Sequence, residues 1–309
     1  MKESYNADQH EFHDEIDVRE IFSILLKRKY LISLLTTIAA VLSVLYALSL
    51  PNIYTSKALL APSSSNNSTS NMGAYSSLAG LAGISLPGGE SGNPIIEAMA
   101  RIKSFDFFVN YFVPNIKIEN LVAVDSWLRE DNIMIYKSNI FDNSNGKWIL
   151  DGKPSLEGIP SNQQAYEIYK GILSVSQDKR TSFVSMTIDH KSPHVAKEWL
   201  GIIIDNINES MREEERNTAI NFINFLNENS KTTNINQIKE VISQLLESQM
   251  QNLMLASSNK NYIFKTLDSP IAPEIKSSPQ RPMICILGTL FGSILSLILV
   301  LILHYRKKI

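Results

Sequence analysis

The sequence predicts a membrane protein of α+β class, in which two transmembrane helices flank one large domain that carries a long helical hairpin. Three observations predict it. Tyr30–Leu50 and Met283–Leu303 are uncharged apolar runs, each long enough at ~1.5 Å per residue to cross a ~30 Å hydrocarbon core. Between them, short segments of two-residue alternation are interleaved with segments of helical spacing, the pattern of a mixed sheet-and-helix core. Late in that middle segment, two long helical stripes are separated by a short polar break, as in a helical hairpin.

Lys27-Arg28-Lys29 precedes the first run and Arg306-Lys307-Lys308 follows the second. Positive charge beside a span tends to stay in the cytoplasm, so both termini are expected inside. The expected organisation is a cytoplasmic tail over 1–29, a span over 30–50, an external domain over 51–282, a second span over 283–303 and a tail over 304–309. Ala47-Leu48-Ser49 superficially resembles a signal cleavage site. The first run, however, exceeds the roughly 7–15 residues of a cleaved signal's apolar region, and its leading segment is long and acidic, so a retained helix is expected.

Composition narrows the function. Lys and Arg total 29 against 31 Asp and Glu, a net charge of -2 with both signs mixed, which gives no footprint for nucleic-acid binding. The single cysteine, Cys285, lies in the second apolar run. The external domain therefore needs no disulfide, suits an oxidising periplasm and holds no thiolate metal site.

Each element has its own local signal. Ile16, Ile21, Ile24 and Leu25 give the end of the leading tail a weak helical stripe. Ile53–Leu60 reads as a strand, with Tyr54, Ser56, Ala58 and Leu60 on one face and Thr55 and Lys57 on the other. The stretch 61–93 is Ser/Asn-rich, then Gly-rich and apolar. It is expected to be a mobile loop, either a disordered insert or an apolar loop beside the membrane or the lumen of an assembly.

Asn93-Pro94 pairs an N-cap with a first-turn proline and opens a helix carrying Ile95, Ile96, Met99 and Ile102. Ser104 caps a second short helix with Phe108 and Phe112 inward. Segments 133–140 and 147–150 are expected strands around an Asn145-Gly146 turn. Ser161-x-x-Gln164 is a capping box for a helix with Ala165, Ile168, Tyr169, Ile172 and Leu173 on one face. Phe183–Ile188 alternates as a strand.

Ser192-Pro193 starts the longest helix, lined by Val195, Ala196, Trp199, Leu200, Ile203, Ile207 and Met211 and running to about Leu226, roughly 50 Å. A break over Lys231–Asn234 leads to a returning helix with Ile238, Val241, Ile242, Leu245, Leu246 and Leu253. A strand over Tyr262–Leu267 closes the domain.

Catalytic patterns do not emerge. His190 and His194 are separated by Ser192-Pro193, which starts a helix between them, so they cannot share a helical face as zinc ligands do and read as loop-edge residues. His10 and His13 have no second ligand pair. Gly88-Gly89-Glu90-Ser91-Gly92 lacks the lysine of a phosphate cradle. No ionisable acid or base interrupts either span, which disfavours ion transport. Arg212-Glu213-Glu214-Glu215-Arg216 reads as a solvated helix face, or as pairs between subunits worth ~0–1 kcal/mol each. No catalytic residue, cofactor or metal is expected.

Two features remain as candidate sites. Gly288, Gly292 and Ser296 recur every fourth residue on the second span. Such a small-residue face serves either oligomer or partner contact, or packing on the first span, where Thr36, Ala40 and Ala47 suit both uses. Pro270, Pro273, Pro279 and Pro282 precede that span. They form either a stiff extended connector or an ordinary spacer.

Asp14-Glu15-Ile16-Asp17-Val18-Arg19-Glu20 before the first span and Pro270-x-x-Pro273-x5-Pro279-x-x-Pro282 before the second resemble the Wzz-type polysaccharide co-polymerases, the O-antigen chain-length determinants. The first strand, the Gly-rich loop and Ser182–Asn217 are also similar. The resemblance implies a bacterial inner-membrane protein with a periplasmic α/β base and a hairpin protrusion directed away from the membrane, assembled as a ring-like homo-oligomer. It implies no enzyme activity. Its partners would be an integral-membrane polysaccharide polymerase and an undecaprenyl-linked glycan.

Larger relatives append a cytoplasmic tyrosine kinase. Here about six residues follow the second span and no G-x-x-x-x-G-K-[ST] occurs, so kinase activity is not expected. Two rivals stand beside this reading. One is an exopolysaccharide or capsule export component working with a separate kinase. The other is a periplasmic ligand sensor, disfavoured because neither tail has room for a signalling domain.

Overall fold

The computed structural model describes residues 25–63, 93–150, 153–155, 158–232, 236–258 and 260–306. The amphipathic stripe that begins at Ile16, most of the expected mobile loop and part of the hairpin break lie outside the described residues. The chain divides into two compact units, one of Met1–Pro51 with Ser278–Ile309 and one of Asn52–Ser277.

The first unit is a helix pair, with α1 at Lys29–Ser49 and, last in the chain, α7 at Arg281–Tyr305. These bounds extend the expected second span by two residues at each end. Both helices are long and apolar enough to cross a membrane, and only 6% and 17% of their apolar windows is buried. A core helix of a soluble protein would hide that surface. Here Leu34, Leu42, Leu45, Ile286 and Phe291 face outward, as lipid-contacting side chains do. Tyr30 and Tyr46 are exposed near opposite ends of α1, where aromatic side chains match membrane–water boundaries.

In the second unit, strand β1 (Tyr54–Pro62) is followed by helix α2 (Pro94–Ile102) and by a short aromatic helical stretch, Phe105–Phe112. Asn93 caps α2 by accepting the Ile95 N–H at 3.0 Å, and Ser104 accepts the Phe107 N–H at 3.2 Å. Downstream, Pro114 has no N–H, so an α-helix cannot continue through it. The chain widens into a π-turn over Phe108–Phe112 and then tightens into a 3₁₀ turn, Val113–Asn115.

Helix α3 (Ile118–Val122) leads to β2 (Val124–Leu128), β3 (Ile133–Tyr136), β4 (Phe141–Asp142), β5 (Lys147–Leu150) and β6 (Lys153–Ser155). The expected strand over 133–140 thus ends at Tyr136, and β4 begins just beyond that range. β3 pairs with β2, whereas β4 pairs with β5 across Asn145-Gly146, where Gly146 adopts φ 63. The Lys137–Ile140 turn, closed by the Ile140 N–H on Lys137 O at 2.9 Å, breaks the run.

Helix α4 (Asn162–Ile172) has the full Ser161–Gln164 capping box, and Leu173 begins strand β7 (Leu173–Gln177) instead of continuing the helix. Strand β8 (Val184–His190) follows, then α5 (Pro193–Thr232), α6 (Asn236–Ser258) and β9 (Phe264–Asp268). α5 runs six residues beyond the expected end, giving it 40 residues and a length of roughly 60 Å.

The main sheet has the order β7-β8-β1-β9 and every pairing is antiparallel. The inward residues Ala58 and Leu60 on β1 and Val184, Met186 and Ile188 on β8 meet Trp199, Leu200, Ile203 and Ile207 of α5. Phe108, Phe112 and Tyr169 complete this core as an aromatic cluster. Phe112 lies 4.8 Å from Tyr169 and 5.5 Å from Trp199, centroid to centroid. Phe112 is fully buried, so truncating it to alanine costs about 3–5 kcal/mol. Tyr169 donates its hydroxyl to Ile102 O at 2.8 Å, and burial pushes its phenol pKa well up.

Beyond this core, Phe222 and Leu226 of α5 pack on Ile242 and Leu245 of α6 in a separate cluster. That cluster holds the hairpin together through its own apolar seam.

Candidate functional site

Within the helix pair, the small-residue face of α7 lies on α1. A Cβ added at Gly288 would stand 2.5 Å from Ser43 Cβ, and one at Gly292 would overlap Ala39 Cβ. The absence of side chains at these two positions is therefore what lets the backbones approach. Ser296, one turn on, is buried and returns its hydroxyl to Ser293 O at 2.7 Å. Ser43, Thr36 and Thr289 likewise bond to carbonyls of their own helices. Each hydroxyl is satisfied without water, as a lipid environment demands.

Arg281 was not a sequence candidate, because it sits just outside the uncharged run. Its Nε donates to Ala47 O at 3.1 Å and its second terminal nitrogen to Leu50 O at 3.4 Å. These are carbonyls at the C-terminal end of α1, which the helix itself cannot pair. Pro282 stands in the first turn of α7, and the Ser278–Pro279 bond is cis.

In the second unit, Pro270 and Pro273 belong to a strap that follows β9 and is fastened to the start of β1. Ser56 donates its hydroxyl to Ile271 O at 2.8 Å, the Ser277 N–H donates to Ile53 O at 2.8 Å, and the Thr55 N–H donates to Ser277 Oγ at 3.0 Å. Lys276 Nζ reaches Asn52 Oδ1 at 3.2 Å. The prolines up to Pro273 thus lie in an anchored strap instead of a free-standing linker.

Asn208, midway along α5, was also missed. It is 4% exposed. Its Oδ1 accepts the N–H groups of Ile263 and Phe264, both at 2.9 Å, and its Nδ2 donates to Phe264 O at 3.2 Å and Ile204 O at 3.0 Å. One side chain therefore fastens the start of β9 to the long helix.

His190 also departs from the loop-edge reading. It ends β8 at 8% exposure. Its Nδ1 accepts the Ser192 N–H at 2.9 Å, leaving Nε2–H to donate to Asn120 O at 2.9 Å. The ring also packs edge-on to Trp199 at 4.9 Å. This is a neutral structural imidazole, and burial lowers its pKa. His194 is exposed on α5, with its ring 6.0 Å from that of Trp127, centroid to centroid.

The charged patch on α5 is more than a solvated face. Glu214 pairs with Arg101 of α2, which also binds Glu97 at 2.9 Å, and Arg212 pairs with Glu209. Glu215 is half-buried beside them. Burial, then Glu214 and Glu97, push its carboxyl pKa up.

A shallow pocket of about 410 Å³ lies on the outer face of the main sheet, where Lys57, Ser176 and Ser185 meet the β7–β8 turn. The Asp178 carboxylate there accepts the N–H groups of Arg180 and Thr181 at 2.8 and 3.0 Å, which lowers its pKa. The carboxylate is thereby committed to closing the turn. Among the described residues no group of His, Cys, Asp and Glu is placed to hold a metal ion.

These features define a class: a helix pair of membrane-crossing length whose two helices bracket one α+β unit with a helical hairpin. The family described as "Wzz: Chain length determinant protein" matches residues 14–100. That segment takes in α1, β1 and most of α2. No curated protein matches the sequence. Among solved structures, a "full-length bacterial polysaccharide co-polymerase" is similar with TM-score 0.44 and 11% identity, covering 94% of this chain and 99% of that one. A WzzB polysaccharide co-polymerase fragment from Salmonella Typhimurium is similar with TM-score 0.32 and 12% identity, covering 74% of this chain and 100% of that one.

Proposed function

We propose that this protein sets the chain length of a lipid-linked surface polysaccharide, the O-antigen of lipopolysaccharide, without catalysing bond formation. The observation that carries this reading is the family match over residues 14–100. It is supported by the two membrane-length helices that bracket the α+β unit. In this reading both spans lie in the bacterial inner membrane, 1–29 and 304–309 are cytoplasmic, and 51–282 is periplasmic. The protein acts as a homo-oligomer on an integral-membrane polymerase that extends an undecaprenyl-linked glycan. Geometry and contact, not chemistry, then decide when extension stops. The proline strap and connector, Pro270, Pro273, Pro279 and Pro282, transmit that contact to the second span.

The test is deletion of the gene, with lipopolysaccharide and secreted polysaccharide resolved by size on a gel. The expected result is a clustered O-antigen ladder that becomes short and random while polymer still forms. A change confined to secreted polysaccharide would replace this reading with the exopolysaccharide or capsule one. Two unchanged patterns would overturn both. Replacing Pro270, Pro273 or Pro282 with alanine is expected to shift the modal length without abolishing synthesis, and an unaltered ladder would remove the connector from the mechanism.

A further inference from the structure

The two most exposed large apolar side chains among the described residues of 52–277 are Ile275 at 81% and Ile271 at 65%. Both sit on the strap. They are not the ends of a loose tether, because the strap is fastened on either side of them. Ile271 O accepts the Ser56 hydroxyl, and Lys276 and Ser277 are bonded to Asn52 and Ile53. Isolated apolar side chains on a surface are ordinary. Two held outward by a bonded backbone in one short segment mark an interaction surface.

Chain length limits how far that surface can stand from the ends of the two apolar helices. Ser277 is four residues before Arg281, the start of α7, and Ile53 is four residues after Ser49, the end of α1. Four residues span at most about 14 Å and the six from Ile275 to Arg281 about 21 Å. The strap is therefore leashed to the place where both apolar helices end, from two directions. A segment lying on a membrane must also limit its unpaired backbone donors. Pro270 and Pro273 have none, and the Ser277 N–H is already bonded to Ile53 O.

We infer that Ile271 and Ile275 seat the Asn52–Ser277 unit on the lipid surface, with both side chains entering the boundary between headgroups and acyl chains. This inference rests on the reading of α1 and α7 as membrane spans. The strap then acts as a foot that fixes the unit against the bilayer, in addition to the covalent links through the two helices.

The test uses the full chain with Cys285→Ala, reconstituted in vesicles of phosphatidylethanolamine and phosphatidylglycerol that contain a lipid with a nitroxide near the top of its acyl chain. A fluorophore is placed at Ile275→Cys, at Ile271→Cys or, as a span reporter, at Leu287→Cys, an exposed position on α7. Labels on the strap are expected to lose about half their emission, since a group seated ~5–10 Å into the boundary lies beside the nitroxide. Quenching at Leu287→Cys without quenching on the strap would overturn the foot and leave the spans standing. No quenching at any of the three would overturn the membrane reading as well. Protection of Ile275→Cys from a water-soluble thiol reagent in cells, with no quenching in the vesicles, would assign the surface to a protein partner and refute the lipid contact.

Discussion

Replacing Gly288 with alanine tests whether the small-residue face of α7 packs within this chain or against a partner. The added Cβ would fall 2.5 Å from Ser43 Cβ and 3.1 Å from Ser43 Oγ. Carbon atoms normally approach to ~3.5–4.0 Å, so the shortfall is roughly 1–1.5 Å. The two Cβ atoms are attached directly to backbone, so no rotamer change relieves their clash. The helices must move apart, and overpacking of this kind costs ~1–3 kcal/mol.

That cost corresponds to about a 5- to 150-fold shift in the equilibrium between paired and open helices. The chain's only cysteine reports it, because Cys285 is half-buried one turn before Gly288. In detergent micelles, the labelling rate of Cys285 by a maleimide should rise by that factor in Gly288→Ala. Adding Ser43→Gly, which removes the opposing Cβ, should restore the slow rate. Adding Ser43→Ala, which keeps that Cβ, should not. Wild-type labelling in Gly288→Ala, or failure of Ser43→Gly to rescue, would refute intrachain packing and return Gly288 to the role of partner contact.

Three further outcomes are expected. Asn208→Ala orphans the buried N–H groups of Ile263 and Phe264; at ~1–3 kcal/mol for each such group the loss should be ~2–6 kcal/mol, read by urea unfolding of the purified protein. Because burial holds the His190 pKa below its ordinary range, the unfolded chain takes the proton more readily; the stabilisation present above ~pH 6.5 should be lost as pH falls toward the lower folded value, and a flat stability profile across that window would contradict the assignment. Glu215 has the opposite sign, since a raised folded pKa means stability present at low pH is lost as pH rises through it; Glu215→Gln should therefore raise the melting temperature at pH 7, and a lowered one would show that the charged form is favourably paired.

Elements with a local signal were legible. The caps at Asn93, Ser104 and Ser161 read directly from sequence because a capping side chain bonds a backbone N–H two or three residues away. The alternation on β1 and β8 was readable because each strand buries only one face. β2, β4, β6 and β7 were not singled out as strands. They have only five, two, three and five residues, too few for alternation to stand above chance, and their identity depends on the strand beside them.

The candidate site divides in the same way. Two stretches of membrane length, a small-residue face on the second and a proline-rich approach to it were readable from the chain alone, because each is a matter of composition and spacing along one element. Which surface that face meets emerges only in the fold, since Ser43 and Ala39 oppose Gly288 and Gly292 from far along the chain. The fold also turned the first part of the proline run into an anchored strap and Asn208 into the clamp on β9. A hydrogen bond or steric contact between distant residues leaves no periodic trace in sequence; it exists only once the fold has brought its two ends within reach.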